Sequence, residues 1–424
     1  MLTINLIREK SEFVVERLSV KHFQADEIVK QILLFDNQRR ELQNKVNTKQ
    51  NELNTLSRNI GILFKEGKID EANEAKKQTS TLKEEIRETD SQMEAIATQL
   101  DELLIQLPNL PHESVPEGHN AESNKEIRTG GKIPELSDKA LPHWELATKY
   151  KIIDFELGNK LTGAGFPVYL EKGAKLQRAL INFFLDENQK AGYKEVMPPL
   201  VVNEDSGFGT GQLPDKEGQM YHVTEDNFYL IPTAEVPVTN IYRDVILEVS
   251  DFPIKNTAYT PCFRREAGSY GKDVRGLNRL HQFDKVEIVQ IQNPDNSYAA
   301  LEEMVSHVEG ILVTLGLPYR IMQLCGGDMS FTSALTYDFE VFSAAQKRWL
   351  EVSSVSNFES FQANRLKLRF RDPNTKKTIL AHTLNGSSLA LPRIVAALLE
   401  NNQTENGIVI PEVLRSYAGF DIIE

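Results

Sequence analysis

The segment from Ile28 to Leu103 constrains the fold more than any other part of the chain, because it contains no proline and only two glycines, Gly61 and Gly67. Glu, Lys, Gln, Asn and Leu dominate it, as in long exposed helices. Mostly apolar positions recur at alternating spacings of four and three in each half, which is a heptad seam. The seam positions are Leu42, Val46, Lys49, Leu53, Leu56, Ile60 and Leu63 in the first half, and Leu82, Ile86, Thr89, Met93, Ile96, Leu100 and Leu103 in the second. Two seams joined by the Gly-containing segment 64–70 bury each other only by folding back, so the sequence predicts an antiparallel coiled-coil hairpin.

The charge of the chain is unevenly distributed. Its 424 residues carry a formal net charge of −13, which by itself argues against a nonspecific nucleic-acid binder. Between Ile28 and Leu100, however, there are twelve basic and twelve acidic residues, so the acidic excess lies outside the hairpin. Its first helix, residues 28–58, has six basic and three acidic residues. Two interpretations of the hairpin remain open, a dimerisation rod and an arm that contacts a polyanion.

Proline and glycine mark the end of the helical region. They are Pro108, Pro111, Pro116, Gly130, Gly131 and Pro134. Their spacing predicts a helical arm over residues 1–110, a linker over 111–135 and a second domain over 136–424. In that domain Asn256 to Phe263 and Gln282 to Ile291 alternate as strands without an intervening helix, which predicts antiparallel pairing and an α+β fold rather than a doubly wound parallel sheet.

Several classes of protein are excluded by what the sequence lacks. It has no GxxxxGK[ST] phosphate loop, and the GFGTG run at 207–211 lacks the strand and helix of a dinucleotide fingerprint. Cys262 and Cys325 form no CxxC pair, so no zinc site is expected. No apolar run is long enough to cross a membrane. The opening MLTINLIREK carries charge at once and has no long apolar stretch, so we expect no signal peptide and a cytoplasmic protein.

The first constellation with chemical potential surrounds a charged loop. On strands, side chains two apart share a face, so Arg264 and Glu266 are expected on one face, and Phe283, Lys285 and Glu287 on one face of the neighbouring strand. An arginine fork suits a phosphate, and a phenylalanine ring suits a purine base. The combination predicts an ATP site without a phosphate loop, and the alternative is a charged, solvated sheet face.

Two more constellations follow. Glu351 and Ser354 offer hard oxygen ligands suited to Mg²⁺, but their odd spacing puts both on one face only if the strand bends or bulges between them. The run 383–387, Thr-Leu-Asn-Gly-Ser, leads into an apolar helix that contains Arg393, with Pro392 expected in its first turn. The alternative for Arg393 is a cation on the surface of a helix.

Together these segments resemble class II aminoacyl-tRNA synthetases, and the residues between them resemble the bacterial-type seryl-tRNA synthetase family. The stretches that carry the resemblance are 209–215, 230–238, 260–273, 281–287, 336–341 and 383–387. Residues 192–199 look like the class II motif 1, residues 264–283 like motif 2, and the segment ending at Arg393 like motif 3. The resemblance covers essentially the whole chain and implies a catalytic domain built on an antiparallel β-sheet flanked by helices.

The resemblance also implies roles for individual residues. Thr233, Ala234 and Glu235 would bind the amino group of L-serine, with Glu287 and Ser387 on the serine side of the pocket. The ATP contacts would be Arg264, Arg265, Glu266, Leu280, Phe283, Glu351, Val352, Ser353, Ser354 and Arg393. Within this set Arg264 would hold the α-phosphate, Phe283 would stack on adenine, and Arg393 would hold the terminal phosphate. Glu351 and Ser354 would be the Mg²⁺ ligands.

The implied function is that of a homodimeric serine–tRNA ligase. It would activate L-serine with ATP and transfer the seryl group to the 3′ end of tRNA(Ser), with tRNA(Sec) left open as a second substrate. The hairpin looks like the tRNA-binding arm of the family, which contacts tRNA(Ser) bound at the partner subunit's active site. The alternative is a catalytically silent paralogue that binds tRNA or a protein. The presence of Arg264, Glu287 and Arg393 favours the ligase.

Overall fold

The structure is a computed structural model that describes residues 1–266 and 275–424. The part of the predicted motif 2 that falls on 267–274 lies outside the described residues. The chain divides into two compact units. Unit 1 comprises Met1–Ser19 and Phe23–Pro108, and unit 2 comprises Val20–His22 and Asn109–Glu424.

Unit 1 is helical. Its helices are α1 (Ile4–Glu9), α2 (Ser11–Ser19), α3 (Asp26–Lys65) and α4 (Ile69–Gln106). Helices α3 and α4 form the predicted hairpin, and each extends two or three residues beyond the predicted limits of 28 and 103. Gly67 lies in the turn between them with φ of 77°, a conformation that favours glycine.

The hairpin is held together by the predicted seam. All fourteen seam side chains are buried or partly buried, and Leu53, Thr89 and Leu100 are fully buried. Lys49 occupies a seam position because its Nζ lies 3.1 Å from a carboxylate oxygen of Glu85 on the facing helix. The heptad pattern therefore predicted the hairpin of α3 and α4 and the surface along which these two helices contact each other.

The helices of unit 2, in its described part, are α5 (His143–Lys149), α6 (Phe155–Leu161), α7 (Glu171–Lys190), α8 (Glu204–Thr210), α9 (Glu235–Asn240), α10 (Ser297–Thr314), α11 (Ser360–Leu366), α12 (Leu391–Asn401) and α13 (Glu412–Ala418). The strands of the main sheet are β1 (Lys125–Gly130), β4 (Lys194–Glu195), β9 (Ile254–Phe263), β10 (Gln282–Gln292), β11 (Tyr319–Gln323), β12 (Leu335–Ser343), β13 (Arg348–Asn357) and β16 (His382–Ala390). Short strands form smaller sheets: β2 (Ile153–Asp154), β3 (Val168–Tyr169), β5 (Val201–Val202), β6 (His222–Val223), β7 (Phe228–Leu230), β8 (Ile246–Glu248), β14 (Arg369–Arg371), β15 (Thr378–Leu380), β17 (Gln403–Thr404), β18 (Gly407–Val409) and β19 (Ile422–Ile423).

The main sheet has the order β1-β11-β12-β13-β16-β10-β9-β4. All its strands pair antiparallel except β4, which pairs parallel with β9. The predicted pairing of β9 with β10 is confirmed, with Phe263 opposite Gln282. The core contains buried side chains of α7, α10 and α12 together with those of β10 to β13. A helical hairpin in unit 1 and an antiparallel sheet flanked by helices in unit 2 together make the α+β fold expected from the sequence.

Two local predictions are corrected. The segment 111–135 is not a free linker throughout, because β1 pairs antiparallel with β11 at the edge of the main sheet. Half of the residues of β1 are exposed and Ile127 is its only apolar residue, so the alternation that signals a strand is missing. Arg264 and Glu266 do not lie on a strand either. Strand β9 ends at Phe263, and Glu266 has φ of 48°, outside the extended range.

Across the described ranges, none of the helices combines the length and the apolar character that a membrane span requires.

Candidate active site

A single cavity in unit 2 collects side chains from all three sequence constellations. Its volume is about 610 Å³. Thirteen of the fifteen predicted site residues line it: Thr233, Glu235, Arg264, Glu266, Leu280, Phe283, Glu287, Glu351, Val352, Ser353, Ser354, Ser387 and Arg393. Ala234 and Arg265 do not. Ala234 is fully buried at the start of α9, and the backbone N–H of Arg265 donates to the carbonyl of Gln219 at 2.9 Å.

One end of the cavity is built on strand β10. Glu287 and Ser387 are directly opposite each other in the pairing of β10 with β16, as expected of two residues on one side of the serine pocket. Lys285 Nζ lies 2.5 Å from Glu287 Oε2 and donates to Thr233 Oγ1 at 2.8 Å. Thr233 Oγ1 donates to Glu287 Oε2 at 3.3 Å. The Lys285 ammonium thus compensates the charge of the buried Glu287 carboxylate. Without such a partner, burying the carboxylate would cost a large amount of free energy.

Glu235 forms the second carboxylate of this end. Its Oε1 accepts a hydrogen bond of 2.6 Å from Gln362 Nε2, and Gln362 Oε1 accepts one of 2.6 Å from Thr383 Oγ1. Burial, and next the negative charge of Glu287, raise the pKa of Glu235 to about 7, although Gln362 and Lys285 oppose the shift. Glu235 therefore titrates near neutral pH, and a cation bound beside it would favour its ionised form.

The other end of the cavity combines cations with an aromatic ring. Arg264 follows β9, its Nε donates to the carbonyl of Pro232 at 3.3 Å, and its guanidinium carbon lies 5.2 Å from the centre of the Phe283 ring. Glu266 forms an ion pair with Arg279. The arginine, the ring and the carboxylate converge as predicted, although Arg264 and Glu266 reach the cavity from a loop.

Strand β13 has a bulge between Glu351 and Ser354, one of the two irregularities that would put both residues on one face. Phe339 pairs with Ser353 and Glu340 pairs with Glu351, so Val352 is the extra residue on β13. All four residues from 351 to 354 line the cavity. In addition, Ser353 Oγ donates to the carbonyl of Ser387 at 2.6 Å, which ties β13 to β16 at the site.

A divalent metal fits this segment. The Glu351 side chain is 52% exposed, and the neighbouring Asp338 has a buried Oδ1 for which no partner is found in the described structure. Burial, followed by the charge of Glu351, raises the pKa of Asp338. Within residues 1–266 and 275–424, no three His, Cys, Asp or Glu side chains form a metal-binding group. Carboxylate and hydroxyl oxygens in small number suit Mg²⁺, which binds few protein ligands and completes its shell with water and phosphate oxygens.

Arg393 lies in the first turn of α12 beside Pro392, as predicted. Its Nε donates to the carbonyl of Asn278 at 3.0 Å, and its Nη1 donates to the carbonyl of Glu351 at 2.6 Å. Nη1 also lies 3.8 Å from Glu351 Oε2. Arg393 therefore lines the cavity. It is not merely a cation on the outer surface of a helix, which was the alternative.

Sequence reasoning missed some of the residues that organise the cavity. Lys285 was expected on the same strand face as Phe283 and Glu287, and that period-two signal could have assigned it to the site. No sequence signal identifies Gln362, because it reaches Glu235 from α11, which is remote in the chain. Asn278 was missed as well, since its contribution to Arg393 is a backbone carbonyl.

Comparison with known proteins agrees with this geometry. A family model described as "tRNA synthetase class II core domain (G, H, P, S and T)" matches residues 221–402, and one described as "Seryl-tRNA synthetase N-terminal domain" matches residues 1–111. A serine–tRNA ligase of Salinibacter ruber is 50% identical over 421 residues, covering 99% of this chain and 98% of the relative. One from Prosthecochloris aestuarii is 47% identical over 429 residues, covering 100% and 99%. The chain belongs to the seryl-tRNA synthetase family.

A solved structure supports the same assignment. Seryl-tRNA synthetase from Pyrococcus horikoshii, crystallised in complex with ATP, matches with a TM-score of 0.93 at 33% identity, covering 100% of this chain and 99% of that one. Membership in the seryl-tRNA synthetases confirms the predicted fold class and the predicted enzyme class, an ATP-dependent serine–tRNA ligase. The comparisons support this function and not the catalytically silent paralogue.

The raised pKa of Glu235 makes the stability of unit 2 depend on pH. Below pH 4.5, the ordinary glutamate pKa, Glu235 is protonated in the folded and in the unfolded protein. Above about pH 7 the folded protein carries a buried carboxylate at this position. Stability therefore falls as pH rises through this window. We therefore expect the free energy of unfolding of Glu235→Gln, relative to that of the parent, to increase by about 3 kcal/mol from about pH 5 to about pH 8.

Urea unfolding followed by tryptophan fluorescence measures this, because both tryptophans, Trp144 and Trp349, lie in unit 2. Glu405→Gln, at an exposed position, is the control and should follow the parent at both pH values. If the difference in the free energy of unfolding between Glu235→Gln and the parent does not change with pH, the raised pKa of Glu235 is contradicted.

Proposed function

We propose that this seryl-tRNA synthetase activates L-serine within the cavity described above, with Glu235 and Glu287 at the serine end and Arg264 and Arg393 at the ATP end. The observation that carries the proposal is the convergence of buried carboxylates, arginines and Phe283 in one cavity. Anionic ATP and a small polar amino acid are the ligands that this arrangement suits.

The reaction needs no protein nucleophile. A carboxylate oxygen of serine attacks the α-phosphorus of ATP, the bond from that phosphorus to the α,β-bridging oxygen breaks, and pyrophosphate leaves. Arg264 would neutralise charge at the α-phosphate, Arg393 would hold the terminal phosphate, and Phe283 would stack on adenine. Glu351 and Ser354 would hold Mg²⁺, which supplies further positive charge to the phosphates. The protein contributes orientation and charge compensation. In the second step a hydroxyl of the 3′-terminal ribose of tRNA takes the seryl group and AMP leaves.

Selection of serine follows from the buried carboxylates. In this proposal Glu235 accepts hydrogen bonds from the ammonium group of serine, and Glu287 accepts one from its hydroxyl; both residues line the cavity with Thr233 and Ser387. Alanine or glycine would leave Glu287 without that hydrogen bond, and sites of this kind discriminate by about 10⁴–10⁵. The additional methyl group of threonine is excluded sterically, which is a weaker filter.

Glu287→Ala tests the serine pocket. Serine-dependent ATP–pyrophosphate exchange should fall by at least about a hundredfold, because the substrate hydroxyl loses a charged acceptor in a buried site. The dissociation constant of ATP, measured by calorimetric titration, should stay within about twofold of the parental value, because the arginines and Phe283 are unchanged. Glu405→Ala is the matched control. Exchange near the parental rate in the folded Glu287→Ala protein would refute the role.

We further propose that the hairpin of α3 and α4 binds tRNA. Its support is the balance of charge, which is neutral over residues 28–100 and positive over 28–58 in an otherwise acidic chain. Cationic side chains on an exposed helix gain affinity for a phosphate backbone by counterion release.

Shortening the hairpin separates the two half-reactions. The Lys49–Glu85 pair marks facing positions, so removing residues 50–84 and closing with a Gly-containing turn keeps the base of the hairpin in register. Serine-dependent pyrophosphate exchange should be retained, because the cavity is lined by residues of unit 2 alone. Charging of tRNA(Ser) should fall by at least about tenfold. Equal loss of both activities in a folded protein would count against a tRNA-specific arm, and the same assay with tRNA(Sec) decides whether that tRNA is a substrate.

We propose that the enzyme is a homodimer acting in the cytoplasm. The segment that resembles motif 1 contains Met197, which is 88% exposed, and is followed by Val201, which is 40% exposed. Exposed apolar patches of this kind are typical of subunit interfaces. Sedimentation should give the mass of a dimer, and Met197→Asp should shift it towards the monomer. Leu161→Asp, at a position 68% exposed, is the matched control and should leave the dimer intact. A monomeric parent would overturn the proposal.

A further inference from the structure

Behind the ATP end of the cavity lies a buried polar pair to which no role has been assigned above. His143, the first residue of α5, and Glu400, near the end of α12, are both fully buried, with Nδ1 of the histidine 2.7 Å from Oε1 of the glutamate. Such a pair is not explained by stability alone, because two apolar residues of the same volume would stabilise the fold equally well.

Glu400 is fully provided with donors. Its Oε1 also accepts the backbone N–H of His143 at 2.9 Å and Gln346 Nε2 at 2.9 Å, while Oε2 accepts the hydroxyl of Ser343. The carboxylate is therefore a fixed anchor for the imidazole.

The opposite nitrogen of His143 faces the end of motif 2. His143 Nε2 lies 2.8 Å from the backbone nitrogen of Leu277, which is its hydrogen-bond donor. Nε2 must then lack a proton, and Nδ1 must carry the proton that is donated to Glu400. Glu400 thus selects the tautomer of His143 that is protonated on Nδ1. In this tautomer Nε2 accepts the buried backbone N–H of Leu277, which would otherwise be unpaired.

The backbone around Leu277 is fitted to this side chain. Gly276 has φ of 65°, and a Cβ on it would lie 2.3 Å from His143 Nε2, so only glycine lets the chain approach the ring this closely. Next to it, the guanidinium carbon of Arg275 lies 4.7 Å from the ring centre of Trp144, which follows His143 in the chain. His143 and Trp144 thus hold residues 275–277 by a hydrogen bond, a close backbone approach and a cation–π contact.

These residues lead directly into the cavity. Leu277 and Asn278 both line it, and the carbonyl of Asn278 accepts the hydrogen bond from Arg393 Nε at 3.0 Å. The side chain of Asn278 is held from behind, because its Nδ2 donates to Gln346 Oε1 at 3.0 Å and Gln346 in turn donates to Glu400. Two routes therefore connect the anchored carboxylate to the position of Arg393.

We propose that His143 is a positioning residue for ATP binding, fixed by Glu400, which sets the backbone at Leu277 and Asn278 and thereby the guanidinium of Arg393. His143 itself does not touch the substrate. The inference rests on the proposed function, because it assumes that Arg393 binds the terminal phosphate of ATP.

Two substitutions separate the two faces of the imidazole. In His143→Asn the amide nitrogen takes the place of Nδ1 and still donates to Glu400, but nothing replaces the acceptor for Leu277. In His143→Gln the amide oxygen reaches the place of Nε2 and restores that acceptor. We expect His143→Asn to raise the KM for ATP in serine-dependent pyrophosphate exchange by about tenfold, the effect of one buried hydrogen bond left unmade, with the KM for serine within about twofold of the parent. His143→Gln should recover most of the loss.

The thermal midpoint of each variant and the dissociation constant of ATP complete the test. An unchanged KM for ATP in His143→Asn, with only the midpoint or the amount of active enzyme reduced, would show that the pair serves folding alone and would overturn the proposal. An equal rise in the KM for ATP and for serine would overturn it too. If His143→Asn does not fold, Gln346→Met cuts the second route and should raise the KM for ATP by about threefold. A parental ATP affinity in that variant would refute the inference.

The same measurements distinguish this inference from the proposed function. A parent enzyme without serine-dependent exchange would contradict the function, and the dissociation constants of ATP for the parent and the two His143 variants would then still decide the positioning role.

Discussion

Strand β10 is paired along both edges, with β9 on one side and β16 on the other, and the rest of the site depends on that double pairing. Because successive side chains of a strand point to opposite faces, the pairing determines that Phe283, Lys285 and Glu287 reach the cavity together. It also sets Ser387 opposite Glu287. A strand held on one edge only could shift its register, and a shift of one residue would turn every one of these side chains away from the cavity.

The sequence predicted the parts of the structure whose signal is periodic and local. The hairpin follows from its heptad seam, and Lys49 and Thr89 at seam positions are buried or partly buried as the pattern requires. Strands β9 and β10 follow from alternation, and the odd spacing of Glu351 and Ser354 called for a bend or a bulge, of which the structure has the bulge. In each case one repeated physical constraint, the burial of one face, determines the positions.

What the sequence could not supply depends on contacts between remote segments or on the backbone. Strand β1 is recruited by pairing at a sheet edge, and Ile127 is its only apolar residue, so the strand has no apolar alternation. Gln362 reaches Glu235 from a helix more than a hundred residues away in the chain, and Asn278 acts through its carbonyl. The roles of Arg264 and Glu266 were assigned from the family resemblance, but strand alternation placed them wrongly, because a strand end has no periodic signature.

The way in which the arginines are held explains how an acidic protein keeps cations available for a polyanion. Arg264 donates to the carbonyl of Pro232, and Arg393 donates to the carbonyls of Asn278 and Glu351. Carbonyl oxygens are neutral, so they orient a guanidinium without cancelling its charge, whereas a close carboxylate would compete with phosphate. The nearest carboxylate oxygen of Glu351 lies 3.8 Å from Arg393 Nη1, beyond hydrogen-bond distance. By contrast, Lys285 forms an ion pair with the buried carboxylate of Glu287. The two arginines proposed to bind phosphate are thus oriented by backbone carbonyls, whereas the lysine of the serine end is held by a carboxylate. This difference separates the proposed phosphate-binding function of one end from the proposed amino-acid recognition of the other.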